Sequence, residues 1–269
     1  MKKLLSLIIL SILVCFSAQA KEYSFDEVKE CAEDKSLLCD LDGSLITGYF
    51  KEYYSDGTLE IETPYKEGKK EGLAKSYYEN GNLKAEAYYK DGKRDGLAKG
   101  YYENGNLLTE AYYKDGKLEG LAKGYYENGN LKREAYYKDG KPDGLAKVYY
   151  ENGNLEAEAY YKDGKEEGFA KFYYENGNLE REENYKDGKQ DGLAKGYYEN
   201  GNLLIEEYYK DGRVEGLTKI YYKNGNLKFE LNFKDGTAVS GYMYDIYGKR
   251  TKMTNAHLHN LTNDLHKEN

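Results

Sequence analysis

From Gly48 to Ser240 the chain repeats itself. Eight segments begin with a glycine, each 24 residues after the last, at Gly48, Gly72, Gly96, Gly120, Gly144, Gly168, Gly192 and Gly216. Two of them, GLAKGYYENGNLLTEAYYKDGKLE from Gly96 and GLAKGYYENGNLKREAYYKDGKPD from Gly120, are nearly identical. A fixed period in this range means an array in which each unit packs on its neighbours. The segments are numbered here units 1 to 8.

Composition limits what holds such units together. A mean hydropathy of −0.93 and 33% charged residues are too polar for a thick aliphatic core. The 33 tyrosines offset this, because a buried ring removes much surface from water while its hydroxyl stays wet. The expected core is thin, aromatic and one repeat wide. Disorder is the alternative for so polar a chain, and dense Tyr and Leu at fixed spacing argue against it.

Each unit carries two turn signals, Asn-Gly (Asn80-Gly81, Asn104-Gly105) and Asp-Gly (Asp91-Gly92, Asp115-Gly116), separated by Tyr-rich runs of strand length. Helix is disfavoured by this density of glycine and asparagine. The expected fold is all-β: an elongated array of antiparallel hairpins forming a single twisted sheet. A two-residue type I′ turn at Asn80-Gly81 sets Tyr78 opposite Leu83, Ser76 opposite Ala85, Lys75 opposite Glu86 and Ala74 opposite Ala87. One face then holds Gly72, Ala74, Ser76, Tyr78, Leu83, Ala85, Ala87 and Tyr89, and the other Leu73, Lys75, Tyr77, Lys84, Glu86, Tyr88 and Lys90. A Lys opposes a Glu in every unit, from Lys51/Glu62 to Lys219/Glu230. Such a pair disfavours a one-residue slip more than it adds stability.

The flanks read differently. Residues 1–20 have a Lys2-Lys3 n-region, an apolar run from Leu4 to Phe16 and an Ala18-Gln19-Ala20 cleavage site, the pattern of a secretion signal cut after Ala20. Cys15 could anchor a lipid, but the bulky Val14 before it argues against that. Residues 21–47 are expected to form an N-terminal cap. Ser24-Phe25-Asp26-Glu27 has capping-box spacing, and Phe25, Val28, Cys31 and Ala32 follow at helical spacing, so a short helix and a Cys-closed loop are predicted. In an exported chain Cys31 and Cys39 read as a disulfide, the alternative being two reduced thiols in a source that lives without oxygen. Units and their C-terminal closure occupy 48–250, and 251–269 is expected to be a flexible polar tail. Losing Lys2 and Lys3 takes the net charge from −8 to −10. A chain this acidic is a poor ligand for nucleic acid or an anionic membrane.

The recurring string Y-Y-K-D-G-K-x-x-G-x-A-K-x-Y-Y-x-N-G, strongest from Tyr88 through Tyr209 and looser from Tyr53 to Tyr244, resembles the MORN repeat in its bacterial variant form. The usual Gly-x-Gly becomes Gly-x-Ala here (Gly72 to Ala74, Gly96 to Ala98), and Tyr replaces Trp. The resemblance implies an elongated antiparallel sheet used in protein scaffolding or, more contentiously, in lipid association. Some bacterial members are labelled antitoxins of toxin–antitoxin pairs. A lipid-kinase label is also inherited by some, but this chain has no phosphate loop with a lysine.

Two tyrosine ladders on the polar face are the candidate partner surface. One contains Tyr77, Tyr101, Tyr125, Tyr149, Tyr173, Tyr197 and Tyr221. The other contains Tyr88, Tyr112, Tyr136, Tyr160 and Tyr208. Repeated rings suit multivalent attachment to a protein or glycan, and the alternative is that they only cover one another along the sheet. Two positions vary from unit to unit and face each other: Ser76, Gly100, Gly124, Val148, Phe172, Gly196 and Ile220 against Ala85, Thr109, Arg133, Ala157, Arg181, Ile205 and Phe229. They tune packing or write a specificity pattern.

The turn acids offer too few oxygens each for calcium, and His257-x-His259 lacks a rigid frame. The array holds no histidine, no Cys beside a base and no singular acid cluster, so neither enzyme nor cofactor is expected. The reading is an exported, non-enzymatic scaffold or adhesin-like protein, periplasmic or extracellular, binding another macromolecule, a protein first. One alternative is an antitoxin or immunity protein for a dedicated toxin. Another is a wall- or glycan-binding array, against which the lack of Trp weighs. Homo-oligomerisation through a sheet edge or the apolar face stays open.

Overall fold

A computed structural model describes residues 20–258. The expected signal sequence up to Gln19, and the chain beyond Leu258 with His259 and His266, lie outside the described residues.

The units form one sheet in chain order. Glu22–Tyr23 pairs parallel with Gly48–Tyr53 at one edge. Every later pairing is antiparallel, ending with Arg250–Lys252 on Thr237–Tyr244 at the other edge. Each unit contributes two strands, such as Gly72–Tyr77 and Leu83–Lys90 in unit 2. The strand pairing has the expected register: Lys75 opposes Glu86, Ser76 opposes Ala85 and Ala74 opposes Ala87. Glu86 in turn opposes Lys99 of unit 3. The Lys and Glu of successive strands therefore alternate across the whole array, so each Glu from Glu62 to Glu206 has a Lys on both neighbouring strands. A one-residue slip would move this whole ladder to the other face.

The Asn-Gly turn differs from the expectation. It is not a two-residue type I′ turn. The Gly81 amide bonds to the Tyr78 carbonyl and the Tyr78 amide to the Asn82 carbonyl. Gly81 has φ +82° and Asn80 has no positive φ. This is a type I turn closed by a glycine bulge, and it shifts Tyr77, rather than Tyr78, opposite Leu83. The type I′ turns are the Asp-Gly ones, where Asp91 has φ +50° and Gly92 φ +81°. Asn80 stays right-handed because its Oδ1 accepts the Asn82 amide at 2.9 Å, a bond that needs the third loop residue.

The N-terminal helix is shorter than its spacing predicts. Only Phe25–Glu27 coils, as a single 3-10 turn. The Ser24 amide and hydroxyl both donate to Glu27 Oε2, at 2.8 and 2.9 Å. Val28–Glu30 then pairs with Leu38–Asp40 as a small hairpin, a conformation suited to β-branched Val28. The Cys31–Cys39 disulfide closes that hairpin. Tyr23, Cys31, Cys39 and Ile46 are buried there.

At the C-terminal end, residues 251–258 are not a free tail. Thr251 and Lys252 belong to the last strand, and a helix begins at Asn255. Met253 and Leu258 bury against Ile220, Leu231 and Phe233. Among the described residues no helix is long and apolar enough to cross a membrane.

Candidate functional site

Four tyrosines per unit take four different positions. Tyr78 and its equivalents, beside the Asn-Gly turn, bind to the next unit. Tyr78, Tyr102, Tyr126, Tyr150, Tyr174 and Tyr198 each donate to a backbone carbonyl 23 residues on, at 2.7–2.8 Å. Tyr89, Tyr113, Tyr137, Tyr161, Tyr185 and Tyr209 pair with the starting glycines of their own units, on the alanine face. Gly96, one of these starting glycines, must be small. Gly96 has φ +122°, and a Cβ there would come within 3.0 Å of the Tyr88 Cβ.

The two predicted ladders separate. Tyr77, Tyr101, Tyr125, Tyr149, Tyr173, Tyr197 and Tyr221 are half-buried. Five of them donate to the Glu of the preceding unit. Tyr101 reaches Glu86, Tyr125 Glu110, Tyr149 Glu134, Tyr173 Glu158 and Tyr197 Glu182, at 2.8–3.0 Å. Their hydroxyls are pushed up to about 12, first by burial and then by the hydrogen bond to a carboxylate. These rings are tied into the Lys–Glu ladder. The second ladder is open: Tyr88, Tyr112, Tyr136, Tyr160 and Tyr208 are 43–49% exposed. Each opposes an apolar side chain on the neighbouring strand, as Tyr112 opposes Leu97 and Tyr208 opposes Leu193, and both of these leucines are exposed too. The result is a stripe of exposed apolar groups beside a charged ladder, of the kind that marks interaction surfaces.

A further group escaped the sequence reading, which saw acids only in repeating rows. In units 6 and 7 the alanine at the fifteenth position after the starting glycine becomes Glu183 and Glu207. Glu183 is buried. Its carboxylate accepts from Tyr185 at 2.6 Å and pairs with Arg181 at 3.0 Å. Glu207 accepts from Tyr209 at 2.8 Å. Burial pushes the Glu207 carboxyl up, the Tyr209 bond opposes this, and nearby Glu183 pushes it further up. Next in line on that face, the buried Thr218 hydroxyl lacks a hydrogen-bond partner. The signal that could have found this group is the break in the repeat itself, Ala to Glu in two consecutive units.

Among the described residues no set of His, Cys, Asp and Glu side chains could hold a metal ion. The rigid repeat can present one surface many times, as a scaffold or binding array does.

Among curated proteins none matches the chain. Two solved structures show some likeness. The TcdB2–TccC3–Cdc42 crystal structure is 12% identical over 79% of this chain with a TM-score of 0.19. TcdB2–TccC3 without its hypervariable C-terminal region is 13% identical over 76%, also at 0.19. This chain spans about 15% of the length of those chains, and such scores do not make the folds alike. The family model for the MORN repeat variant matches eight segments, residues 46–67, 70–91, 94–115, 118–139, 142–163, 166–187, 190–211 and 214–235. These cover well over half the chain and repeat with its 24-residue period, so the protein belongs to the MORN repeat variant family.

Proposed function

We propose that this is an exported, non-enzymatic repeat protein that binds a protein partner through the open tyrosine ladder of its Lys–Glu face. The observation that carries the reading is the exposure of Tyr88, Tyr112, Tyr136, Tyr160 and Tyr208 in register along one stripe. Ring faces supply contact area at small entropic cost, and the Lys–Glu ladder alongside supplies a polar rim. Identical sites at a fixed spacing then add by multivalency, so weak single contacts suffice. The half-buried ladder from Tyr77 to Tyr221 runs alongside on the same face, five of its rings tied to the Glu row. Export rests on residues 1–20 and is checked by sequencing the secreted protein, which should begin at Lys21.

The test is capture of partners from the source organism's envelope and from host-cell surface extract. The bait is the protein with or without Tyr→Ser at Tyr88, Tyr112, Tyr136, Tyr160 and Tyr208. Because these rings are exposed, the variant should keep its circular dichroism and thermal midpoint and lose its partner. Retained binding would sink the proposal. One small dedicated protein from the organism itself would favour an antitoxin or immunity role, and a wall polysaccharide a glycan-binding one.

A further inference from the structure

The alanine face, opposite the proposed binding stripe, is sorted by charge. Its floor is Ala74, Ala87, Ala98, Ala111, Ala122 and onward, paired strand by strand. Between Lys70 and Tyr137 the face carries three cations, Lys70, Arg94 and Arg133, and no carboxylate. From Glu166 to Tyr209 it carries three carboxylates, Glu166, Glu183 and Glu207, and one cation, Arg181. Arg181 already pairs with Glu183.

The remaining charges are short of partners. Among the described residues no salt bridge involves Lys70, Arg94, Arg133, Glu166 or Glu207. Lys70 and Arg94 rest over the Tyr89 and Tyr113 rings, at 5.3 Å each. Glu166 and Glu207 accept only from tyrosine hydroxyls. The upward push on the Glu207 carboxyl belongs to an acid partly withdrawn from water with no cation paired to it.

We propose that the alanine face from Lys70 to Tyr209, the part that the C-terminal segment over Ile220 and Leu231 leaves open, is the interface of a two-fold symmetric dimer. A second copy stacks antiparallel on it, so that the cationic half of each chain meets the anionic half of the other. The spacing suits a two-fold axis running along the strands. Counted in strands, Lys70 and Glu207 lie equally far from the seam between the second strand of unit 4 and the first of unit 5. Arg94 and Glu183 are likewise equidistant from it. An isologous contact of this kind makes each pair twice. The floor of Ala and Gly lets two sheets approach to ordinary face-to-face packing, about 10 Å. At the C-terminal end of the same face, Met253 and Leu258 show what it does with apolar cover: Leu231 beneath them is fully buried. The dimer leaves both tyrosine stripes outward, so this interface stands or falls independently of the proposed function.

The experiment is sedimentation equilibrium of the purified chain from micromolar to sub-millimolar concentration. The wild type should be a dimer that weakens as salt rises. Lys70→Glu with Arg94→Glu makes both halves anionic, and Glu166→Lys with Glu207→Lys makes both cationic. Each double variant alone should weaken dimerisation by at least about 100-fold. Mixed together the two should form a 1:1 heterodimer, and all four changes in one chain should restore the homodimer. Arg133 lies next to the axis and faces its own copy, so Arg133→Ala should tighten the dimer. Circular dichroism checks that each variant is folded. If the half-buried Glu207→Lys does not fold, the Lys70/Arg94 variant and Arg133→Ala still decide. A monomeric wild type, or double variants that dimerise as tightly as wild type, would overturn the proposal.

Discussion

The middle of the array and its two ends are held together differently. From Gly72 to Glu167 only Gly100 and Gly124 are buried. At the ends Ile46 and Leu231 are fully buried, one beside a disulfide and the other under Met253 and Leu258. The ends resemble small globular cores, whereas the middle is a single layer whose groups are half wet. What holds the middle is repetition: each unit makes the same tyrosine-to-carbonyl, tyrosine-to-Glu and turn-to-turn bonds to the next. The acid before each starting glycine adds another, as Glu71 accepts the Asp91 amide and Glu119 the Asp139 amide. No single contact is strong, but each recurs at nearly every junction, as nearest-neighbour stability requires.

The largest expected effect breaks this comparison by attacking the repeated bonds all at once. Tyr101, Tyr125, Tyr149, Tyr173 and Tyr197 hold their protons to about pH 12 in the fold, against about 10 in an unfolded chain. The unfolded state therefore binds fewer protons over that window. Their stabilisation is complete below pH 10 and is lost as pH rises through the folded value. Thermal melts at pH 9, 10.5 and 12 should show the array collapsing steeply. A chain with all five changed to Phe should show a much flatter dependence. Equal slopes would mean that these hydroxyls are not what titrates.

The second effect sharpens the comparison at an end. Leu231 is completely buried among Ile220, Phe233, Met253 and Leu258, so Leu231→Ala leaves a cavity and costs about 2–5 kcal/mol. The half-buried Leu131, in a middle unit, has less to lose, and Leu131→Ala should cost clearly less. Chemical denaturation of both variants decides it. Hydrogen exchange should place the first loss in unit 8 and spread it inward from that end.

This division explains what could be read in the sequence. The period, the strand register and the Lys75–Glu86 ladder follow from repetition, because eight copies average out every local ambiguity. The turn types did not follow. Asn-Gly and Asp-Gly look alike as dipeptides, and the choice depends on Asn80 Oδ1 reaching the Asn82 amide. The ends have no repetition to settle such ambiguities. Val28 sat at helical spacing but joins a hairpin, and Met253 and Leu258 were two apolar residues in a polar stretch. Of the candidate surface, both ladders lie on the expected face. Their division into tied and open rings depends on which hydroxyls reach a Glu, a matter of reach across units. Glu183 and Glu207 stand where units 2 to 5 carry alanine, and an eight-fold pattern says nothing of a change confined to two units.

The smallest expected effect tests a single link of the middle. The Tyr174 hydroxyl donates to the Tyr197 carbonyl at 2.7 Å, joining the turns of units 6 and 7. Tyr174→Phe keeps the ring and removes only that bond. Because the site is partly open, water can take over the carbonyl, so the cost should be about 1 kcal/mol or less. Change the same position in distant units, Tyr78→Phe and Tyr126→Phe, and the losses should add, since such sites share no partner. Additivity measured by denaturant titration would confirm that the middle is a sum of junctions. A loss greater than the sum would mean that the middle, like the ends, melts as a unit.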